Sequence, residues 1–121
     1  MSTKDRRYAN VYVAMLPVLS EAAREVGYAL AIHGTLGRDM DVVAIPWTEE
    51  AVSAEALIMR LLSAMGHRGV SLSHRRGSQD VPPTVSGGDI PDRKPHGRLA
   101  WSLHFESEMY IDISVMPRVT P

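Results

Sequence analysis

The sequence predicts an α+β fold, with a mixed or antiparallel sheet of four to five strands packed against two helices. Three observations carry that expectation. Two stretches place apolar residues at helical spacing, two short apolar runs are joined by a tight Gly-Thr turn, and the C-terminal region alternates apolar and polar residues.

The first helix is predicted over Arg6 to Val26, where Tyr8, Val11, Met15, Val18, Leu19, Ala22 and Val26 form one apolar face. Glu21, Arg24 and Glu25 fall on the wet side. Pro17 lacks the N–H that the helix needs and crowds the preceding turn, so a kink or a break into two shorter helices is expected. Gly27 suits the left-handed residue that ends a helix.

Tyr28–His33 and Met40–Ile45 are apolar runs separated by Gly34 to Asp39, too short a link for a parallel crossover, so they should form an antiparallel hairpin. Pro46 stops the second run. Thr48 is the expected N-cap of the next helix, with Glu49 and Glu50 in its first turn facing the positive end of the dipole. Ala54, Leu57, Ile58, Leu61, Leu62 and Met65 supply its buried stripe, and Gly66 should end it.

Gly69 to Ser73 could add a short strand. Beyond it, residues 73–95 show no periodicity and carry Pro82-Pro83, Gly87-Gly88, Pro91 and Pro95, the composition of a long mobile loop. Cations flank it: His74, Arg75 and Arg76 before, Arg93, Lys94, His96 and Arg98 after. A solvated loop and a lid over an anionic ligand both fit.

In the last two segments, Leu99, Trp101, Leu103 and Phe105 share one face, as do Ile111, Ile113 and Val115. Matching these faces predicts a hairpin in which Glu106 pairs with Tyr110, His104 lies opposite Asp112, and Ser102 lies opposite Ser114. The implied loop, Ser107-Glu108-Met109, lacks the glycine that such a loop favours. Trp47 and Trp101 are expected in the core, with the methionines at 15, 59, 65 and 116 as packing.

Length and composition narrow the class. A chain of 121 residues suits one domain, and 45% hydrophobic residues suit a globule. A net charge of −1 provides no long-range attraction to nucleic acid or anionic membrane, so any anion site must be local. Neither helix has a basic face, so no duplex-reading module is indicated. The absence of cysteine excludes thiolate metal sites. No apolar run approaches the ~18 residues that cross a bilayer, and the N-terminus reads as a helix rather than a signal peptide. Together these make a cytoplasmic location the expectation.

Chemistry concentrates around the Gly-Thr turn. Asp39 and Asp41, two residues apart at the start of a strand, should project side by side. Their repulsion is relieved by a hard divalent cation such as Mg²⁺ or Mn²⁺, while backbone N–H groups of Gly34 and Thr35 could meet a phosphate. Asp112 sits among isoleucines in mid-strand, where a carboxylate is costly unless exposed, paired or metal-bound. A strand carrying Asp112 beside the one carrying Asp39 and Asp41 would gather three carboxylates. The plainer alternative is a hairpin turn in which Arg38 neutralises one aspartate. His33 is either a satisfied strand-end histidine or a phosphate contact, and His104 either satisfies Asp112 or takes a catalytic part. His33-Gly34-Thr35 also fits one half of a two-histidine phosphoesterase, but His104-Phe105-Glu106 lacks the hydroxyl of the second half.

Gly34-Thr35, Asp39-Met40-Asp41 and Ile111-Asp112-Ile113 together resemble the nucleotidyltransferase superfamily related to DNA polymerase β. The resemblance spans most of the chain and implies a single minimal nucleotidyltransferase-like domain over residues 1–121. It implies a Mg²⁺ or Mn²⁺ site at Asp39, Asp41 and Asp112, with Asp112 helping to deprotonate an acceptor hydroxyl. It also implies that Gly34 and Thr35 hold the nucleotide phosphates; Lys94 or Arg98 could neutralise the triphosphate, and His33 and Arg38 are further candidates for phosphate contact. The family has a short helix between its Gly-Ser and D-x-D elements; here only Leu36, Gly37 and Arg38 separate Thr35 from Asp39. The phrases His33–Trp47, Lys94–Trp101 and Tyr110–Arg118 are also similar to those of short proteins from tailed phages and prophages. Three functions stay open: nucleotidyl transfer to a hydroxyl, sequestration of a nucleotide-derived host defence signal, and docking to a host protein. A second copy of the chain could cover the edges of so small a sheet, giving a homodimer.

Overall fold

The computed structural model describes residues 8–37, 39–67, 84–85, 91–104 and 109–118. In chain order they form α1 (Ala9–Glu25), β1 (Tyr28–His33), β2 (Met40–Pro46), α2 (Ala54–His67), β3 (Thr84–Val85), β4 (Asp92–Arg93), a 3₁₀ turn (Pro95–Gly97), β5 (Leu99–His104) and β6 (Tyr110–Val115). The expected α+β class is observed.

β1 and β2 are the expected antiparallel hairpin, running from Tyr28 opposite Pro46 to His33 opposite Asp41. β2 then pairs parallel with β6, which makes the sheet mixed, and β6 pairs antiparallel with β5. Because β6 occupies one whole edge of β5, β3 and β4 share the other, at Leu103–His104 and Leu99–Ala100 respectively. The sheet is therefore five positions wide. Two stretches of the predicted loop at 73–95 thus serve as edge strands; its remaining residues to 90, and the strand expected at 69–73, lie outside the described residues.

Strand alternation gives the sheet two unlike faces. Met40, Val42 and Ala44 of β2, Ile111, Ile113 and Val115 of β6, and Trp101 and Leu103 of β5 pack into one cluster with Tyr12, Met15 and Leu19 of α1 and Leu57, Leu61 and Met65 of α2. The opposite face carries Asp41, Asp112, Ser114, Ser102 and His104. Among the described residues both helices lie on the apolar side, so the architecture has two layers. No helix among them is long and apolar enough to cross a membrane.

Several expectations change here. α1 is a single helix through Pro17, whose missing N–H would have bonded the carbonyl of Val13. Both residues are exposed, so water can satisfy that carbonyl. The buried stripe holds Tyr12, fully buried, and leaves Val11 41% exposed. Tyrosine can sit there because its hydroxyl accepts a hydrogen bond from the Tyr110 backbone N–H at 3.2 Å.

α2 is capped by Ser53, not Thr48: the Ser53 hydroxyl accepts from the Ala56 N–H at 3.1 Å. Residues 47–52 are instead tied to the end of α1, with Trp47 N and Thr48 N bonding Gly27 O and Val52 N bonding Val26 O. Glu49 and Glu50 consequently lie in an exposed turn, and the helix continues through Gly66 to His67. Gly27 (φ +95°) is irreplaceable at this junction, since a Cβ there would lie 2.6 Å from Ala51 Cα. Trp101 is buried as expected. Trp47 and Met59 are not core residues, standing 75% and 67% exposed.

Candidate metal and anion site

The β5–β6 register differs from expectation by two residues. Ser102 lies opposite Asp112, Ala100 opposite Ser114, and His104 opposite Tyr110. A two-residue slip keeps every side chain on its own face, so alternation cannot detect it; only the connection can. Residues 105–108, which connect the two strands, lie outside the described residues.

The observed pairings align four polar residues in one row across the open face. His33 pairs with Asp41, Asp41 with Asp112, and Asp112 with Ser102. Asp39, two residues before Asp41, joins them from the end of the turn. Carboxylate oxygens of Asp39, Asp41 and Asp112 all lie within 4.8 Å of one another. The three acidic residues read from the sequence are thus brought together by the parallel β2–β6 pairing.

Such closeness is costly without a counter-charge. Each pair of ionised groups repels by roughly 1 to 4 kcal/mol between the dielectric of water and that near a protein surface. Asp39 and Asp112 are both pushed above the ordinary carboxylate range. For Asp39 the causes are burial, then the charge of Asp41. For Asp112 burial again leads, and Asp39 adds to it, while the Ser102 hydroxyl partly offsets the shift by donating to Oδ1 at 2.6 Å.

The donor set is all oxygen, which suits Mg²⁺, Mn²⁺ or Ca²⁺ rather than a thiolate-seeking metal. Oxygens around Mg²⁺ lie about 3 Å apart when adjacent and about 4 Å when opposite, from a metal–oxygen distance of roughly 2.1 Å. Small rotations of these carboxylates would close on such an ion. The three aspartates could therefore hold a divalent cation.

The surroundings divide the sequence candidates. A cleft of about 300 Å³ is lined by His33, Asp41, Asp112, Ser102, Lys94 and Arg98, among others. Arg98 is fixed over this face, donating from Nη1 to Ser114 Oγ at 2.9 Å and from Nε to Pro95 O at 3.0 Å. Lys94 is exposed on the same wall.

Gly34 (φ +87°) packs directly beneath the acidic row, where an added Cβ would lie 2.7 Å from Asp41 Oδ2. Thr35 turns inward on its own loop, its hydroxyl accepting from the Gly37 N–H at 3.2 Å. No helix separates the turn from β2, so the helix end that would cradle a phosphate is missing from this place. Arg38 lies outside the described residues.

His104 does not face Asp112. It stacks on Tyr110 with ring centroids 5.3 Å apart, and its influence on Asp112 is through charge. Sequence reasoning placed Ser102 on the correct face but against the wrong partner, and it missed Tyr12. That buried hydroxyl is pushed up to about 12 by burial and lies within electrostatic range of Asp39. No protein-family model matches the chain, and no curated protein matches it.

Proposed function

We propose that this protein binds a divalent cation through Asp39, Asp41 and Asp112 and, beside it, the phosphates of a nucleotide, whose nucleotidyl group it transfers to a hydroxyl acceptor. The observation that carries the reading is the convergence within 4.8 Å of Asp39 and Asp41 with Asp112 from a distant strand, beside a cleft lined by Asp41 and Asp112 together with Lys94, Arg98 and Asp92. A hydrogen bond between Asp39 and Asp112 relieves part of the repulsion, and a cation with an anionic ligand would satisfy both signs of charge.

A bound Mg²⁺ would supply charge neutralisation at the reacting phosphate. The chain's own groups divide the remaining work. Lys94 and Arg98 neutralise the polyphosphate, and Gly34 leaves the approach to Asp41 clear. Asp112 accepts the acceptor's proton as its oxygen bonds the α-phosphorus and the bond to the β-phosphate breaks, releasing pyrophosphate.

The helix-free turn favours a second reading, in which the same pocket retains a nucleotide-derived signal without turnover. A thermal-shift series with nucleoside triphosphates, with and without Mg²⁺, followed by a pyrophosphate-release assay, separates the two. Binding at 100 times Kd adds about 2.7 kcal/mol to stability, large enough to measure. Mg²⁺-dependent stabilisation with pyrophosphate release supports transfer; stabilisation without release supports retention. No stabilisation by any nucleotide in Mg²⁺ contradicts both.

A further inference from the structure

The open face is chemically graded along β5 and β6. At one end Lys94 and Arg98 present two cations beside the single carboxylate of Asp92, with Arg98 held on Ser114. In the middle lies the row of Asp41, Asp112 and Ser102. At the other end His104 and Tyr110 are cross-strand partners whose rings stack at 5.3 Å with an interplanar angle of 24°, and His104 is exposed. Strand rise puts the aromatic pair about 7 Å from the acidic row, and Ser114, which holds the Arg98 guanidinium, about 7 Å from it on the opposite side.

We infer that His104 and Tyr110 form a stacking platform for the nucleobase, so that a bound nucleotide runs along β5 with its polyphosphate toward Lys94 and Arg98. This rests on the nucleotide-phosphate reading of the cleft. With the reacting phosphate at the carboxylates, the remaining phosphates are drawn to the cations. The nucleoside must then leave in the opposite direction, where the aromatic pair lies. A paired aromatic surface is preorganised, and base stacking on such a surface tolerates any base. The Gly-Thr turn competes poorly as the polyphosphate end, because no helix N-terminus follows it before β2.

The test compares ATP with inorganic tripolyphosphate, both with Mg²⁺, by calorimetry on the wild type and three single variants. Wild type should bind ATP about tenfold more tightly than tripolyphosphate, the scale of one base–aromatic stack. His104→Ala should abolish that preference and leave tripolyphosphate binding unchanged, while His104→Phe should restore it. Lys94→Ala should weaken both ligands alike. Equal affinity for the two ligands in the wild type, or equal weakening of both by His104→Ala, overturns the platform while leaving the phosphate site standing. Failure of both ligands to bind removes the phosphate reading and the platform with it.

Discussion

The two faces of β2, β5 and β6 are made by alternate residues of the same strands, yet they follow opposite rules. On the helix side Met40, Val42, Ile111, Ile113 and Leu103 are at most 1% exposed and belong to one hydrophobic cluster. On the other side Asp41, Asp112 and Ser102 stand half-buried with charges that repel. One face lowers the free energy of the fold and the other raises it.

The largest test of the contrast is truncation on the packed face. Leu61→Ala should cost about 2–5 kcal/mol in urea denaturation, because Leu61 of α2 is 1% exposed within the hydrophobic cluster. Asp112→Asn, on the opposite face, should cost nothing in the absence of metal. A large loss from Asp112→Asn would mean that the carboxylate is structural.

Tyr12→Phe sharpens the comparison, since Tyr12 belongs to the core yet holds the Tyr110 N–H at the start of the site strand. We expect a loss of about 1 kcal/mol in the same denaturation experiment, together with weaker divalent-cation binding. Unchanged cation affinity would show that the site does not depend on this contact.

The smallest effect concerns pH. Asp39 and Asp112 hold their protons more tightly when folded than when unfolded. Their ionisation therefore costs stability, absent below the unfolded carboxylate range and fully present above the raised folded values. Without metal, Asp39→Asn should melt a few degrees above wild type at neutral pH, roughly 2–5 °C. The gain should shrink as pH falls through and below the carboxylate range. A gain that is constant with pH would assign the effect to something other than charge.

Alternation and helical spacing made the layers, the β1–β2 hairpin and the polar face legible, because each depends on which side a residue faces. What stayed hidden depends on longer-range geometry. The two-residue slip that gives Asp112 to Ser102 instead of His104 leaves every face unchanged. Tyr12 takes the core position rather than Val11, with its hydroxyl accepting the Tyr110 N–H from the far end of the chain. Thr48 has the chemistry of a helix cap, but its segment is anchored to Gly27 and the role falls to Ser53. The acidic triad was foreseeable because Asp39 and Asp41 share a face by spacing, and Asp112 is conspicuous between isoleucines. That β2 and β6 run parallel, which brings the three together, was not.

The most direct measurement is Mn²⁺ binding, followed by electron paramagnetic resonance or calorimetry, for wild type, Asp39→Asn and Asp112→Asn. The account predicts saturable binding by the wild type and a loss of at least tenfold in affinity for either variant, with both variants remaining folded. Equal Mn²⁺ affinity across the three proteins, or no saturable binding by the wild type, would contradict it.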